Sequence, residues 1–235
     1  MILSFALSPR RYRDNTIKGV HLTMKKYCFT DETMEVDGHI LHRIKALIDI
    51  PHPDVKAGDL GGWIEREENL AHEDGAWVFD NARVYDNGWV LGNAWVSGNA
   101  LVYDNARVYD DAWVNDRARV YGSAQVRGNA WAYGNVHIYD RARVYDGARA
   151  CGSAQVFGRA HVYGDAQVFD NAWVYDNAWI YDNAWVYGCG EVFGNARAYG
   201  FARVFDNAWI YDNAWVYGKA RVHGDTKIFG KIMVK

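Results

Sequence analysis

The sequence predicts an all-β protein: a single-stranded parallel β-helix with 18 residues per triangular coil, preceded by a small N-terminal β-rich cap. Three observations support this prediction. A six-residue repeat runs without interruption, apolar residues alternate within each repeat, and Asp and Gly recur in a regular pattern along the chain. A chain built from one short unit is typical of a solenoid, because each repeat buries its apolar side only against its neighbours.

The repeat reads Ala-x-Val-aromatic-(Asp or Gly)-Asn, and its valine slot recurs at every sixth residue from Val78 to Ile228, which makes 26 units. Alternation along a short strand places Ala and Val on one side and the x and aromatic residues on the other. The following Asp-Asn or Gly-Asn pair turns the chain, because these residue types tolerate the left-handed backbone region. The sequence therefore predicts an interior of Ala and Val with the aromatic rings outside.

The corner slot after the aromatic residue holds 12 Asp and 14 Gly and indicates how many units form a coil. With three units per coil, residues 18 apart lie above one another, and Asp then follows Asp only at Asp86 and Asp104. Carboxylates stacked at the strand spacing of ~4.8 Å repel each other by roughly 1 kcal/mol. Asp coils and Gly coils therefore tend to alternate along each corner. Relief of the repulsion between carboxylates explains this alternation, and so does duplication of a two-coil unit. Both require coils of 18 residues.

Three segments follow from these patterns. Residues 1–23 are predicted to be a leader that is disordered or outside the fold, residues 24–75 the N-terminal cap, and residues 76–235 the hexapeptide-repeat solenoid. Within the cap, Asp37-Gly38 stands between alternating apolar runs and predicts a tight hairpin. The short apolar run of the leader precedes its Arg residues, an order that does not suit a secretory signal, and no stretch is long enough to span a bilayer.

The composition narrows the function classes. Three Cys without a CxxC pair give neither a disulfide framework nor a zinc site, and they favour a reducing, cytoplasmic compartment. A net charge of -3 gives no reason to expect electrostatic binding of nucleic acid. The high aromatic content of 15% with only three Pro excludes collagen-like and Pro-rich disordered chains.

The aromatic residues define a candidate contact surface. Ten of the 11 Trp occupy x slots, and 20 of the 26 slots after Val hold Tyr or Phe. Stacked rings stabilise a solenoid, and they also offer a surface to a second copy, another protein or a sugar. The ~4.8 Å coil spacing matches stacked bases poorly, which disfavours nucleic acid as a partner. The candidate surface consists of two rows. The Tyr/Phe row comprises Tyr85, Tyr103, Tyr121, Tyr139, Phe157, Tyr175, Phe193 and Tyr211, and the Trp row comprises Trp77, Trp95, Trp113 and Trp131.

Three histidines on the outside of the repeats, His137, His161 and His223, are the only candidates for general-base chemistry in the solenoid. No Asp or Glu shares a strand face with them to orient the ring, so no catalytic residue is assigned. The Asp corners recur every second coil, ~9–10 Å apart, which is too far for two of them to share a cation. The sequence therefore predicts neither a metal site nor a cofactor.

The repeats resemble known families. Segments such as Val-Tyr-Asp-Asn-Ala-Trp are similar to the hexapeptide repeats of left-handed parallel β-helix proteins, which implies a left-handed coil and commonly a homotrimer. The glycine-rich segment from Val55 to Ile64, followed by these repeats, resembles bacterial and prophage-borne proteins of the YdcK type, which are often labelled as acyltransferases. Enzymes of that class use a His near a subunit boundary and protruding loops, and no loop interrupts the repeats of this chain.

These observations lead to three hypotheses about function. The first is a non-enzymatic rigid β-solenoid that serves as a structural or protein-interaction module, with a prophage association suggested by the resemblance. The second is a hexapeptide-type acyltransferase with its site between subunits. The third is a carbohydrate- or nucleotide-binding module that uses the exposed aromatic ladders. The expected partners are further copies of the chain, as a dimer or trimer, a protein or a glycan, and no membrane.

Overall fold

The computed structural model describes residues 25–50 and 54–235, so the predicted leader at 1–23 lies outside the described residues. The chain forms three parallel sheets whose strands repeat every 18 residues, which confirms the predicted β-solenoid. In the described part of the chain, no helix is long and apolar enough to cross a membrane.

The cap consists of an antiparallel hairpin, one further strand and a single 3₁₀ turn. Asp37 and Gly38 connect the two strands of the hairpin with φ values of 52° and 87°, as a type I′ turn requires. The hairpin predicted at these residues is therefore present. The elements of the cap are β1 (Tyr27–Val36), β2 (His39–Ala46), β3 (Leu60–Ile64) and the 3₁₀ turn (Glu67–Asn69).

Twenty-seven strands of two residues each form the solenoid, nine on each of three faces. Each strand pairs in parallel with the strand 18 residues later, as Trp113 does with Trp131. Face 1 continues the cap sheet, because β3 pairs in parallel with its first strand. The strands of face 1 are β5 (Arg83–Val84), β8 (Leu101–Val102), β11 (Arg119–Val120), β14 (His137–Ile138), β17 (Gln155–Val156), β20 (Trp173–Val174), β23 (Glu191–Val192), β26 (Trp209–Ile210) and β29 (Lys227–Ile228). The strands of face 2 are β4 (Trp77–Val78), β7 (Trp95–Val96), β10 (Trp113–Val114), β13 (Trp131–Ala132), β16 (Arg149–Ala150), β19 (Gln167–Val168), β22 (Trp185–Val186), β25 (Arg203–Val204) and β28 (Arg221–Val222). The strands of face 3 are β6 (Trp89–Val90), β9 (Arg107–Val108), β12 (Gln125–Val126), β15 (Arg143–Val144), β18 (His161–Val162), β21 (Trp179–Ile180), β24 (Arg197–Ala198), β27 (Trp215–Val216) and β30 (Met233–Val234).

The interior of the solenoid consists of small aliphatic side chains. The Ala, Val and Ile residues of the two inward slots between Ala82 and Val216 are 0% exposed. Full burial of one Val stabilises a fold by about 1.5–3 kcal/mol, so these slots are the main source of stability. A bore lined by such short side chains leaves the aromatic rings outside, as the alternation predicts.

Every corner residue has a left-handed backbone. The 12 corner Asp have φ values of 51–59°, and the 14 corner Gly have φ values of 62–77°. Ten of these glycines donate their backbone N–H to Oδ2 of the Asp 18 residues earlier, at 2.9–3.3 Å. Each of these Asp carboxylates therefore fastens its own coil to the next one.

The alternation of Asp and Gly also follows from the space at the corners. A Cβ added to Gly158 would lie 2.7 Å from the backbone N of Asp176, so Gly allows the coil above to come close. Accordingly, the backbone hydrogen bonds that join one corner to the same corner of the next coil have N···O distances of 2.5–2.7 Å where a Gly coil is followed by an Asp coil. The distances are 2.7–3.1 Å where an Asp coil is followed by a Gly coil. The one Asp-on-Asp step begins at Asp86, whose carboxylate Oδ1 instead lies 3.3 Å from Nε2 of His39 in the cap.

The cap supplies hydrogen-bond donors to the first coil. On face 1, backbone N–H groups of β3 and the residue after it donate to the carbonyls of Ala82 and Val84. On face 3, Ala71 donates to Val90, and Leu70 forms a parallel bridge with the same residue. The second half of the cap thus forms part of an additional turn.

Lys26 adds hydrogen bonds between the cap and the start of the first coil, beside face 2. Its ammonium lies 2.7 Å from the carbonyl oxygen of Ala76, and 3.2 and 3.4 Å from those of Glu73 and Asp74. The residue is 1% exposed. Burial lowers the pKa of Lys26 to about 8, with Asp74 and Glu73 opposing, so at pH 7 most of the group is still the ammonium that the three carbonyls require.

Candidate functional site

Face 1 carries a continuous ladder of nine stacked rings. Successive centroids lie 4.8–5.2 Å apart, with interplanar angles of 3–16°. Each inner ring is covered on both sides by its neighbours, so the rings from Tyr103 to Tyr211 are half-buried. The ladder comprises Tyr85, Tyr103, Tyr121, Tyr139, Phe157, Tyr175, Phe193, Tyr211 and Phe229.

Two residues of the predicted contact surface lie under the cap. Trp77 is 0% exposed and packs edge-on against Tyr27, with the ring centroids 6.3 Å apart. Tyr85 is 2% exposed, and its hydroxyl donates to Oδ2 of Asp37 at 3.3 Å. The prediction that both residues are exposed is therefore wrong. The hairpin β1–β2 covers the first coil, which the repeat pattern does not reveal.

The other three tryptophans of the predicted row form a stack on face 2. The ring centroids of Trp95 and Trp113 lie 4.5 Å apart, and those of Trp113 and Trp131 4.8 Å apart. Trp95 and Trp113 are half-buried, whereas Trp131 is 38% exposed. The stack ends at Arg149, whose guanidinium lies 5.3 Å from the Trp131 ring.

A groove of about 340 Å³ runs beside this stack. The slots after Val hold Ser97 and Asn115 here, which are shorter than the Tyr and Phe found in most other coils. The sides of Trp95 and Trp113 therefore line the groove, and Phe79 lines it as well. The break in the ladder that is visible in the sequence thus becomes a depression with aromatic walls.

Cations alternate with the aromatic rings on all three faces. The guanidinium of Arg197 lies 5.3 Å from the ring of Trp179 and 5.0 Å from that of Trp215, so it is sandwiched between them. In the 26 units, the x slots and the slots after Val hold 10 Arg and Lys residues but only one acidic residue, Glu191. Negative charge is concentrated at the corners instead, so the faces are cationic and aromatic while the edges are acidic.

The three candidate histidines take part in the ladders. His137 lies edge-on to Tyr121, and His223 stacks on Phe205. His161 stacks on Trp179, with the ring centroids 5.0 Å apart. Burial, reinforced by neighbouring Arg residues, lowers the pKa of His137 and of His161. Among the described residues, none of the three contacts a carboxylate that would orient it as a general base.

Comparison with known proteins agrees with this geometry. Four segments of the chain, residues 94–110, 100–115, 166–182 and 208–224, match the family model described as YdcK Beta solenoid repeat. The repeats of this chain are therefore similar to YdcK-type β-solenoid repeats. No curated protein matches the chain.

One side-chain cluster of this solenoid is not visible in the sequence. His39 Nδ1 lies 3.1 Å from Glu65 Oε1, and His39 Nε2 lies 3.3 Å from Asp86 Oδ1. The hydrogen bond to Glu65 raises the pKa of His39, and the charges of Asp86 and Asp37 add to the effect. His39 therefore joins the hairpin to the residue after β3 and to the first coil. The three residues come from different elements, and only the docking of the cap brings them together.

A second feature of the solenoid also depends on the cap. A cleft of about 590 Å³ lies between the 3₁₀ turn and face 3, with Arg66, His72, Trp89 and Arg107 among its lining residues. Trp89 is 39% exposed there, and the guanidinium of Arg107 lies 5.9 Å from its ring. No spacing in the sequence indicates this cleft, because one of its walls is the turn that precedes the regular repeats.

Proposed function

We propose that this chain is a non-enzymatic rigid rod that acts as a structural or protein-interaction module and pairs with a second copy through face 2. The observation that carries the proposal is the Trp95–Trp113–Trp131 stack with the aromatic groove beside it. Trp, Tyr and Arg are the residue types most enriched where proteins contact one another. The hydrogen bonds that the corner Gly N–H groups donate to the Asp carboxylates make the rod a firm support for such a surface.

The two halves of face 2 complement each other. Its first half carries the Trp stack, whereas its second half carries Arg149, Arg203 and Arg221. In an antiparallel pair with twofold symmetry that overlaps the eight strands not covered by the cap, Trp95 of one copy lies opposite Arg221 of the other, and Trp113 lies opposite Arg203. Arg over an aromatic face is a favourable contact, and the same arrangement already occurs within one copy at Arg203 and Trp185, 4.6 Å apart.

The area of face 2 is sufficient for a stable pair. Its first strand lies under the cap, where Trp77 is buried. The other eight of its nine strands span ~38 Å at ~4.8 Å per coil, and about five extended residues give a width of ~16 Å. Each copy would therefore bury about 600 Å², or about 1,200 Å² in total, at the lower end of the size range of specific interfaces.

The packing of the histidines supports a non-enzymatic role. His161 and His223 are stacked on aromatic rings, and His137 lies edge-on to Tyr121 of the face 1 ladder. The proposal retains a cytoplasmic location, which is supported by three unpaired cysteines, Cys28, Cys151 and Cys189. The prophage association continues to rest on the resemblance alone.

The test is the oligomeric state of the full chain by sedimentation velocity. We expect a dimer that the Trp113→Arg variant converts to a monomer, because the new charge faces the arginines of the partner. Trp179→Arg is the matched control, since Trp179 occupies the same slot on face 3, and it is expected to remain dimeric.

A monomeric wild-type protein at high concentration would refute the pairing, and a trimer would refute the antiparallel arrangement. Dissociation of both variants, or of neither, would refute the assignment to face 2. Turnover of an acyl donor by the wild-type protein would favour the acyltransferase hypothesis. Saturable quenching of Trp fluorescence by oligosaccharides or nucleotides would favour the ligand-binding hypothesis.

A further inference from the structure

A cleft of about 520 Å³ lies on face 1, next to the corner that precedes its strands. Along the face its lining runs from Arg83 through Leu101 to Arg119 and His137, one residue per coil. Leu101 is much shorter than the residues on either side of it, so it forms the floor of a depression. Arg83 and Arg119 stand two coils, ~10 Å, apart across that floor.

The cleft is strongly cationic. Arg117 from the adjoining corner is a third guanidinium in its lining, and no carboxylate lines it. Within residues 25–50 and 54–235, none of these three arginines takes part in an ion pair. The two nearest corner carboxylates, Asp80 and Asp116, each accept a hydrogen bond from the backbone N–H of the next corner glycine.

Arg83 also has an unused hydrogen-bond donor. Its Nε is buried and has no hydrogen-bond partner among the described residues. A buried donor without an acceptor is unfavourable, and the other guanidinium groups of this solenoid are mostly placed over aromatic rings. Arg83, Arg117 and Arg119 have no such ring contact in the described structure. Their donors are therefore free for an anionic ligand.

His137 and the corner amides complete the lining. Burial, and then the charge of Arg119, lowers the pKa of His137, which favours the neutral imidazole with one N–H donor. Asn99 and Asn135 line the corner side on either side of Arg117 and add amide donors. The cleft thus presents charged donors along one line and neutral donors around them.

We propose that this cleft binds the phosphate group of a small phosphorylated molecule. The planar guanidinium fork matches two oxygens of a phosphate, and several arginines favour a dianion over a single carboxylate. The volume exceeds that of a phosphate ion alone and lies in the range of small-molecule sites, which leaves room for the group that carries the phosphate. This site is on a different face from the proposed contact surface and does not depend on it.

The test is isothermal titration calorimetry of the full chain with inorganic phosphate and inorganic pyrophosphate at about 0.15 M ionic strength. We expect saturable 1:1 binding, tighter for pyrophosphate, with acetate much weaker. Arg119→Gln and Arg117→Gln should each weaken the affinity about tenfold or more, as expected from the loss of one charge-assisted contact of ~1.5 kcal/mol.

The matched control is Arg143→Gln. Arg143 is an exposed arginine in the equivalent slot of face 3 and lies outside the cleft, so its loss should leave phosphate binding unchanged. Circular dichroism of each variant shows that the fold is retained. The proposal is overturned if phosphate and pyrophosphate give no saturable heat, if acetate binds equally well, or if Arg143→Gln weakens binding as much as Arg119→Gln.

Discussion

The close approach of coils at the corners can be tested by replacing Gly158 with Ala. Gly158 has a φ of +68°, and an added Cβ would lie 2.7 Å from the backbone N of Asp176. An alanine in the left-handed region costs about 1–2 kcal/mol, and overpacking a rigid contact costs about 1–3 kcal/mol more. We therefore expect the Gly158→Ala variant to lose about 2–5 kcal/mol of unfolding free energy.

Gly224 is the matched control, because its φ is +62° but nothing lies within 4 Å of the added Cβ. The Gly224→Ala variant should lose only about 1–2 kcal/mol of unfolding free energy, which is the cost of an alanine in the left-handed backbone region. Urea unfolding followed by circular dichroism measures both variants. Gly158→Asn isolates the steric part, since Asn tolerates a left-handed backbone better than Ala does. Equal destabilisation of Gly158→Ala and Gly224→Ala, or a Gly158→Asn variant as stable as the wild type, would refute the reasoning.

Two further predictions concern the cap. Lys26→Met should lower the unfolding free energy by about 1–3 kcal/mol, because the buried carbonyl of Ala76 loses its donor. Lys25→Met, which removes only an exposed ion pair, should cost less than about 1 kcal/mol in the same urea titration, and equal losses would contradict the role given to Lys26. His39 has a raised pKa in the folded state, so its stabilising contribution is complete below its unfolded pKa of about 6.5 and is lost as the pH rises through the folded pKa. As the pH rises above about 6.5, the thermal midpoint of the wild type should therefore fall, and this component should be absent in His39→Gln. An NMR titration that places the pKa of the ring at or below about 6.5 would rule out the effect.

The regular part of the fold could be predicted because each six-residue unit has the same environment. A slot that always holds Ala or Val has to face the interior, and the Asp-to-Gly alternation shows the 18-residue coil before any contact is known. Repulsion between carboxylates is only part of the reason for that alternation. The structure adds that the Asp carboxylate accepts a hydrogen bond from the glycine above it, and that Gly leaves room for the following coil.

The candidate site could be predicted only in part. The Tyr/Phe ladder and the Trp95–Trp113–Trp131 stack lie where the repeat places them, because stacking follows from the 18-residue period. Trp77 and Tyr85 share the same pattern but are buried. Their exposure depends on the position of the hairpin, which is set by contacts between residues far apart in the sequence.

The sequence by itself determined the coil length, the composition of the interior and the order of residues along each face, because these properties depend on residues six and 18 positions apart. Only the tertiary structure decided what the cap covers, how Lys26 and His39 connect it to the first coil, and where short side chains open grooves between long ones. These features arise where the repeat meets a segment that does not repeat, or where one slot departs from its neighbours. At such places no period relates one residue to another, and only the packing of the chain determines which side chains meet.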